Sequence, residues 1–549
     1  MLALRAYSVR TFTSDLIAGV TVGFVALPLA MAFAISSGMT PQAGVYCAIV
    51  TGFLISALGG SSVQIGGPTG AFVVVVSGII ARYGVDGLFM CTMMAGVLLV
   101  AMGLTGTGTA VRFIPRPVVI GFTNGIALVI ASTQIKDLFG IAVPGEVPGE
   151  LVPRMRLLVE NAGAASIDAT LVGVGTLALI LLWNRLLPRV PGYVVALVAG
   201  TVFVAAVGLP VETIGTKFGG IPSGLPDVRV PQFRPDLILT LLSPTLTVAM
   251  LGAIESLMSA VVADRMTGER HNSNVELFAQ GIANLASPLV GGLPATGALA
   301  RTATNIRSGA KTPVAGVIHA LTLLVILLLA APLAAAVPVS VLASILLVVA
   351  YNMGEWHEIG ELWKQGWTDR LVWIVTFALT VLADLTVAVE AGMILAALLF
   401  IRRVSATTTV SRVTRDYVER GRAHILQDKP IPEYVTIFRI HGPFLFGATD
   451  KLTDLIAHIE DLTPIVILRL RNMTAIDATG LRAIQDFSDA LHQSGRTLLL
   501  CGALSQPTRL MSQAEFHRHV GAKNILPNVG AALRRAEALW RETPRLSTT

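Results

Sequence analysis

Charged side chains are scarce in this sequence of 549 residues. Asp, Glu, Lys and Arg make up 13% of the chain, whereas soluble domains carry about 25%. The sequence holds only three cysteines, Cys47, Cys91 and Cys501, and three scattered thiols cannot build a disulfide framework. These shortages indicate neither an ordinary soluble protein nor a disulfide-linked scaffold.

The motifs of common enzymes are also missing. The sequence contains no cluster of metal ligands, no nucleophile elbow and no Walker loop. It therefore predicts neither an enzyme nor a protein with a bound metal or cofactor. The formal net charge of +6 is better explained by where the charges lie along the chain than by a nucleic-acid partner.

Hydrophobic residues, by contrast, fill 53% of the chain and cluster in long runs. Segments such as 170–183 and 323–337 have no polar stripe, and a helix that is apolar all round is deeply buried or faces lipid. Many runs reach about 20 residues, the length that crosses a bilayer. The sequence predicts a polytopic α-helical membrane protein with fourteen membrane segments, near 14–37, 42–60, 68–81, 86–106, 116–136, 166–187, 190–209, 242–264, 274–291, 296–308, 312–331, 338–353, 369–384 and 387–404.

The placement of basic residues supports this count. With the N-terminus inside, the short outer connections carry almost no basic residue except Arg82. This asymmetry is the positive-inside bias of membrane proteins, and we expect both termini to face the cytoplasm. Two longer outer loops are predicted near 137–165 and 210–241. The inner connections carry the pairs Arg112 and Arg116, Arg185 and Arg189, Arg265 and Arg270, Arg307 and Lys311, and Lys364 and Arg370.

The character of the sequence changes after the last apolar run. Residues 1–404 form the predicted membrane domain, and residues 405–432 are polar and basic, which is typical of a linker. From 433 to 549, short apolar runs alternate with amphipathic stretches. Strands that alternate with helical patterns indicate a small α/β domain.

Two apolar runs are interrupted by similar residues, "IGGPTGAF" at 65–72 and "VGGLPATGALART" at 290–302. Irregular backbone at membrane depth is tolerated only where protein or water shields it. Proline disrupts the interior of a helix but suits its first turn. We therefore expect two half-helices that begin near the bilayer midplane, at Pro68–Thr69 and at Ala295–Thr296.

The positions of the two breaks point to a central binding site. They fall in the third and the tenth segments, so the chain divides into two halves of seven segments, the second inverted relative to the first. Interrupted segments at corresponding positions of two halves are typical of a transporter's substrate site. The facing half-helix N-termini favour an anion, because they carry partial positive charge and unpaired N–H groups. The alternative is that Gly66 and Gly70 only permit close helix packing.

Two charged residues lie within the predicted membrane segments near these breaks. Arg301, about a turn and a half into the second half-helix, adds a permanent positive charge beside the anion site. The alternative is that its side chain extends to the cytoplasmic surface. Glu255 lies in the middle of the eighth segment and is a candidate proton carrier or sodium ligand. It can also form a structural ion pair with Arg301, and these two hypotheses are compatible.

At these residues the chain resembles the SulP family, the sulfate-permease and prestin-related anion transporters. The resemblance rests on "DLIAGVTVGFVALPLAMAFAISSG" in the first segment, "GGPTGAF" in the third, "GAIESLMSAVVAD" in the eighth, and "NVELFAQGIANLASPLVGGLPATGALARTATNIRSGAKTPVAGV" in the ninth to eleventh. The block "VILRLRNMTAIDATGLRAI" is similar to the STAS domain that ends such proteins. Within the family, the bacterial members resembling the C4-dicarboxylate carriers look most similar, particularly at "AMLGAIES".

The resemblance implies a homodimer in the bacterial inner membrane and a 7+7 inverted repeat. Its core domain would contain helices 1–4 and 8–11, and its gate domain helices 5–7 and 12–14. The substrate pocket would lie between the third and tenth helices, walled by the first and eighth. Carried onto this chain, the pocket residues are Phe33, Thr69, Gly70, Glu255, Ala300 and Arg301.

Two positions depart from many members of the family. Leu29 stands where many relatives have Gln, and Ala300 stands where many have Ser, so both changes remove hydrogen-bonding groups. The resemblance therefore places sulfate in doubt and leaves carboxylates or bicarbonate open. Sodium-coupled bicarbonate members carry Asp at the position of Glu255, so the longer acid favours proton coupling.

From these features we expect secondary active transport of a small anion, namely a dicarboxylate, sulfate or bicarbonate, with a proton or sodium ion as the coupling ion. The alternatives are an uncoupled anion exchanger or channel, sodium-coupled bicarbonate uptake, a nucleobase transporter, and a membrane-anchored sensor that acts through the C-terminal domain. Nucleobase carriers typically place an acid where this chain has Arg301, and they lack a STAS extension.

In the STAS-like domain, Thr479 matches a hydroxyl that is phosphorylated in soluble relatives, which predicts a regulatory site; the alternative is an ordinary helix cap.

Overall fold

The computed structural model describes residues 7–107, 115–145, 147–187, 191–220, 224–225, 228, 230–232, 234–364, 366–383, 385–413 and 431–542. The chain forms two compact units, Met1–Ala396 and Ala397–Thr549. The division falls within the last predicted membrane segment, 387–404.

Helices make up the first unit, and each of the fourteen predicted membrane segments coincides with helical residues. Among the described residues, seven helices are long and apolar enough to cross a membrane, and the count of fourteen spans stays a prediction. The helices are α1 (Val9–Ser36), α2 (Pro41–Leu58), α3 (Gly70–Thr105), α4 (Arg116–Phe139), α5 (Leu151–Glu160), α6 (Ile167–Leu186), α7 (Gly192–Val207), α8 (Ile214–Phe218), α9 (Ile238–Thr267), α10 (Ser273–Ala286), α11 (Leu299–Arg307), α12 (Val314–Ala335), α13 (Val339–Met353), α14 (Trp356–Lys364), α15 (Trp367–Leu382) and α16 (Leu385–Thr407).

The longest helix, α3, accounts for two predicted segments. It bends at Gly84, whose φ of 72° is a left-handed conformation that glycine adopts without the steric cost of a Cβ atom. The stretches on either side of this glycine correspond to the third and fourth predicted segments. The bend therefore replaces the loop that the sequence placed between them.

Three short helices were not predicted from the sequence. Helices α5 and α8 lie in the predicted outer loops, and α14 lies between the twelfth and thirteenth segments. In α5 only Arg154 and Leu158 are buried, and in α14 only Leu362. So short a buried face gives no apolar run that hydrophobic patterning can detect.

The helices of the first unit pack in two groups. One, the core group, contains α1–α3 and α9–α12, and the other, the gate group, contains α4, α6, α7, α13 and α15. Within the core group α3 and α10 approach closely at Gly96 and Gly281, where an added Cβ on either glycine would lie within 2.9 Å of the other's carbonyl oxygen. That these groups match the predicted core and gate domains, and move against each other, stays a prediction.

The core group repeats one order of elements. Helices α1 and α2 are followed by strand β1 (Gly66–Gly67) and α3, and helices α9 and α10 are followed by strand β2 (Thr296–Gly297) and α11. The two strands pair antiparallel, with Gly66 opposite Gly297 and Gly67 opposite Thr296. The two predicted breaks therefore meet in the middle of the core group.

The second unit contains a five-stranded sheet in the order β3-β4-β5-β6-β7. Strand β3 runs antiparallel to β4, and the other neighbours are parallel. Apolar clusters cover both faces, as expected for a parallel sheet. The strands are β3 (Thr409–Arg412), β4 (Val435–Phe444), β5 (Ile465–Ile476), β6 (Thr497–Cys501) and β7 (Ile525–Leu526); the helices are α17 (Asp450–Ala457), α18 (Ala478–Gln493), α19 (Ser505–Gln513), α20 (His517–Val520) and α21 (Val529–Glu542).

Part of the predicted linker, 405–432, is ordered differently from the prediction. Residues 405–407 continue α16, and Thr409–Arg412 form the edge strand β3. An edge strand pairs on one side only and needs no continuous apolar run. The short, polar sequence "TVSR" therefore gave no sign of a strand. Residues 414–430 lie outside the described residues.

Candidate functional site

The backbone at the two breaks brings two helix starts together. Beyond the strand pair, the Ala298 amide donates to the Ile65 carbonyl at 2.8 Å. Helix α3 then begins at Gly70, and α11 begins at Leu299. Among the described residues no side chain caps either start, so their first amides are left for another partner.

The second half-helix begins three residues later than the sequence predicted. Ala295 and Thr296 were expected to start it, but Thr296 lies in β2, and its hydroxyl donates to the Gly252 carbonyl at 2.8 Å. The side chain of Asn284 binds both the amide and the carbonyl of Ala295. These tertiary partners satisfy the backbone before the helix begins. Arg301 is consequently the third residue of α11, closer to its start than expected.

A cavity of 260 Å³ lies where the two helix starts meet the gate group. Three predicted half-helix residues, Pro68, Ala295 and Thr296, do not line this cavity. They bind residues that surround it. Leu29, one of the two departures from the family pattern, does line it. So do all the predicted pocket residues: Phe33, Thr69, Gly70, Glu255, Ala300 and Arg301.

Arg301 is buried, with 2% of its surface exposed. Its Nη2 donates to the Pro68 carbonyl, and its Nη1 has no partner among the described residues. The side chain therefore does not extend to the membrane surface. No carboxylate of the described chain lies within ion-pair distance of it, so the ion pair with Glu255 considered from the sequence is not formed. A buried guanidinium with an N–H group that has no hydrogen-bond partner among the described residues favours an anionic ligand.

Glu255 lies on α9 and lines the same cavity as Arg301. Its Oε2 accepts a hydrogen bond from the Thr69 hydroxyl at 2.8 Å. Thr69 stands at the capping position of α3, but its hydroxyl binds this carboxyl group and no amide of the helix. The bond links the carboxyl group directly to the start of the first half-helix.

Glu276, which was not predicted as a site residue, binds the backbone that precedes the first break. It is fully buried on α10, and its Oε2 accepts from the amides of Gly60 and Ser61 at 2.9 and 3.3 Å. Its Oε1 accepts from Ser256, next to Glu255, at 3.2 Å. An acid in the first turn of a helix is favoured by the helix dipole alone, so its position in the sequence gives no sign of burial.

A second cavity, of 510 Å³, adjoins the first. Both are lined by Val119, Ile254, Met258, Leu299 and Glu355, so the two cavities share a wall. The second cavity is also lined by residues of the predicted cytoplasmic connections, Arg116, Arg265 and His271. It therefore lies on the side of the central cavity that the charge pattern assigns to the cytoplasm.

Thr479 lies on the surface of the second unit, at the second position of α18. The helix is capped by Asp477, whose carboxylate accepts from the Gly480 amide at 2.7 Å and the Phe446 amide at 3.0 Å. Thr479 is therefore accessible and does not cap the helix. Its phosphorylation stays a prediction. In the part of the chain that the structure describes, no group of three acidic, histidine or cysteine residues is placed to hold a metal ion.

A helical membrane unit in which two packed groups of helices flank a cavity with a buried arginine and a glutamate is typical of a membrane transporter. The comparisons with known proteins give its family. The model of the sulfate permease family matches residues 12–376, and that of the STAS domain matches residues 427–532. The chain belongs to the sulfate permease family and ends in a STAS domain.

Relatives are similar over nearly their whole length. The putative sulfate transporter YvdB of Bacillus subtilis is 40% identical, over 95% of this chain and 97% of the relative. The bicarbonate transporter BicA of Synechocystis sp. is 32% identical, over 96% and 94%. These relatives are transporters and not enzymes, as the sequence predicted. The similarity to dicarboxylate carriers stays a prediction.

Solved structures give the same architecture. The transmembrane domain of a cyanobacterial bicarbonate transporter BicA matches with a TM-score of 0.62 and 33% identity, over 71% of this chain and 98% of that chain. Murine Slc26a9, an anion transporter in an inward-facing state, matches with a TM-score of 0.87 over 98% and 93%. Its identity is 18%, so this similarity concerns the fold alone.

Proposed function

We propose that this protein is a secondary active transporter that carries a small anion across the bacterial inner membrane together with a proton. The observation that carries the proposal is the environment of Arg301. It is buried, its Nη1 has no partner among the described residues, and it lies at two uncapped helix starts that face one cavity. Such donors favour a negative charge.

In this proposal the anion binds at the starts of α3 and α11. Backbone amides of the two first turns and the Nη1 of Arg301 donate to its oxygen atoms. The remaining lining is largely apolar, including Leu29, Phe33 and Ala300, so little water competes for these donors. Exclusion of water strengthens each charge-assisted hydrogen bond.

Glu255 is the proposed proton carrier. It shares the cavity with Arg301 and lies on the same group of helices. Because its carboxylate would repel a bound anion, a proton on Glu255 and an anion at Arg301 favour each other's presence. Movement of the core group against the gate group would then expose both ligands to the other side of the membrane.

The names of the relatives and the lining of the cavity favour different anions. The relatives are named as sulfate and bicarbonate transporters, and their similarity supports those two candidates. Leu29 and Ala300 remove hydrogen-bonding groups from the cavity, which supports a carboxylate. We retain sulfate, bicarbonate and dicarboxylates as the candidate substrates, and a homodimer with cytoplasmic termini as the expected assembly.

The test is uptake into liposomes that contain the purified full-length protein. Labelled sulfate, bicarbonate and succinate are offered with an inward proton gradient, with an inward sodium gradient, and with neither. We expect accumulation against a concentration gradient only when protons flow inward. Accumulation driven by sodium alone would support the alternative of sodium-coupled uptake.

The variant Glu255→Gln separates coupled transport from uncoupled exchange. It keeps the size of the side chain and removes the proton-binding group, so proton-driven accumulation should be lost while exchange of labelled for unlabelled anion persists. Glu361→Gln, which changes an exposed acid on α14, is the matched control. Normal accumulation by Glu255→Gln would show that this residue is not the coupling group.

A further inference from the structure

The gate wall of the central cavity carries a polar pair that the anion site at Arg301 does not use. Tyr193 on α7 and Asn352 on α13 both line the cavity. The Asn352 amide donates to the Tyr193 hydroxyl oxygen at 3.1 Å. Arg301, Glu255 and the two helix starts all belong to the core group, so this pair lies on the opposite wall.

The hydrogen bond within the pair leaves one donor unused. Because the phenol oxygen accepts from Asn352, the hydroxyl hydrogen of Tyr193 is free to donate. No residue that the structure describes accepts it. The pair is exposed to solvent, so water can accept from this hydroxyl, and an oxygen atom of a bound anion can take the place of that water.

The charges around the cavity limit where an anion can contact the gate group. Glu355 lines the same wall, and its carboxylate repels a negative ligand. Tyr193 and Asn352 are neutral and together offer a donor held in place by a hydrogen bond. An acceptor atom that reaches the gate wall is therefore best accommodated at this pair.

We infer that Tyr193 and Asn352 form the gate-side half of the substrate site, and that the Tyr193 hydroxyl donates to the end of the anion that points away from Arg301. The inference rests on the proposed function. It selects anions with acceptor groups at two separated ends, such as a dicarboxylate, over a small anion such as bicarbonate. It makes Tyr193 a residue that determines specificity.

The experiment compares Tyr193→Phe with the wild type in liposome uptake of succinate and bicarbonate. The variant removes one hydroxyl and keeps the ring. We expect the KM for succinate to rise about tenfold, the loss expected for one hydrogen bond to a charged group, and the KM for bicarbonate to stay within about twofold. Tyr351→Phe, at a tyrosine that is 68% exposed and does not line the cavity, is the matched control.

Asn352→Leu provides a second, independent variant. It removes the donor that orients the Tyr193 hydroxyl, so we expect a smaller rise in the KM for succinate and again little change for bicarbonate. Unchanged KM values in both variants would overturn the inference. An equal rise for both anions would also overturn it, because the hydroxyl would then contact a group that the two anions share.

The wild type separates failure of this inference from failure of the proposed function. Uptake of bicarbonate or sulfate without uptake of succinate would contradict the two-ended substrate and leave the anion transport proposal intact. A wild-type protein that neither binds nor transports any of these anions would contradict both.

Discussion

Helices α3 and α11 in the membrane unit begin differently from α18 in the STAS domain. The start of α18 is capped by Asp477. Its carboxylate accepts from the Gly480 amide in the first turn and from the Phe446 amide outside the helix. No side chain caps α3 or α11. Thr69 precedes α3 and is a suitable capping residue by type, but its hydroxyl binds Glu255 instead.

The two kinds of helix start serve different purposes in this protein. A cap satisfies amides that would otherwise be unpaired, and it stabilises the helix. At α3 and α11 this stabilisation is absent, and Arg301 adds a buried N–H group that has no hydrogen-bond partner among the described residues. Two starts that face one cavity and keep their donors free are suited to binding a ligand, whereas the start of α18 is suited to holding a fold together.

The largest effect is expected at Arg301. Arg301→Gln removes the permanent charge from the two uncapped helix starts, so apparent anion affinity should fall by about a hundredfold, the upper range for a charge-assisted hydrogen bond. Uptake at a substrate concentration below KM measures the change. The control is Arg307→Gln, at the exposed end of the same helix. Equal uptake by Arg301→Gln and the control would show that the uncapped helix starts do not bind the anion through Arg301.

The two threonines at the breaks separate binding from support. Thr69→Val removes the hydroxyl that binds Glu255 in the cavity, and we expect transport to fall about tenfold with little change in thermal stability. Thr296→Val removes a buried hydroxyl that binds a carbonyl behind the cavity, so it should cost about 1 kcal/mol of stability and affect transport less. Uptake and thermal unfolding of both variants test this division. A larger loss of transport in Thr296→Val together with a larger loss of stability in Thr69→Val would refute it.

The cap of α18 should matter for stability and not for transport. Asp477→Ala removes the acceptor of two backbone amides and should cost about 1 kcal/mol locally. Hydrogen exchange of the full-length protein should quicken at the first turn of α18, with uptake unchanged. Asp486→Ala, which breaks only an exposed pair with Arg482 on the same helix, is the control and should have a smaller effect. Equal exchange in the two variants would argue against the cap.

The smallest effect is expected at Thr479. Because it is exposed and Asp477 supplies the cap, Thr479→Ala should change stability by less than about 0.5 kcal/mol. A phosphate at this helix start would meet favourable amide dipoles. Mass spectrometry of protein isolated from its host cells tests the predicted modification, and its absence under all growth conditions would leave Thr479 an ordinary surface residue.

The sequence predicted those features of the fold that local patterns encode. Long apolar runs located the helices, and the Gly-Pro-Thr interruptions located both breaks. It placed the start of α11 too early, because the pairing of Thr296–Gly297 with Gly66–Gly67 is a tertiary contact. Short helices such as α14 and the edge strand β3 left no long apolar run to detect.

Only part of the site could be predicted from such local patterns. An acid and an arginine inside apolar segments stand out in a sequence, so Glu255 and Arg301 were found. Glu276 lies at a helix start where an acid is common, and its burial depends on amides of Gly60 and Ser61 far away in the chain. Tyr193 and Asn352 are 159 positions apart, and only the packing of α7 on α13 brings them together.

A structure of the protein with a bound oxyanion such as selenate, whose heavy atom can be located directly, would show where the anion binds. We expect the anion between the first turns of α3 and α11, within hydrogen-bond distance of the Arg301 Nη1. An anion bound elsewhere, with the Nη1 facing a carboxylate of the protein, would contradict it.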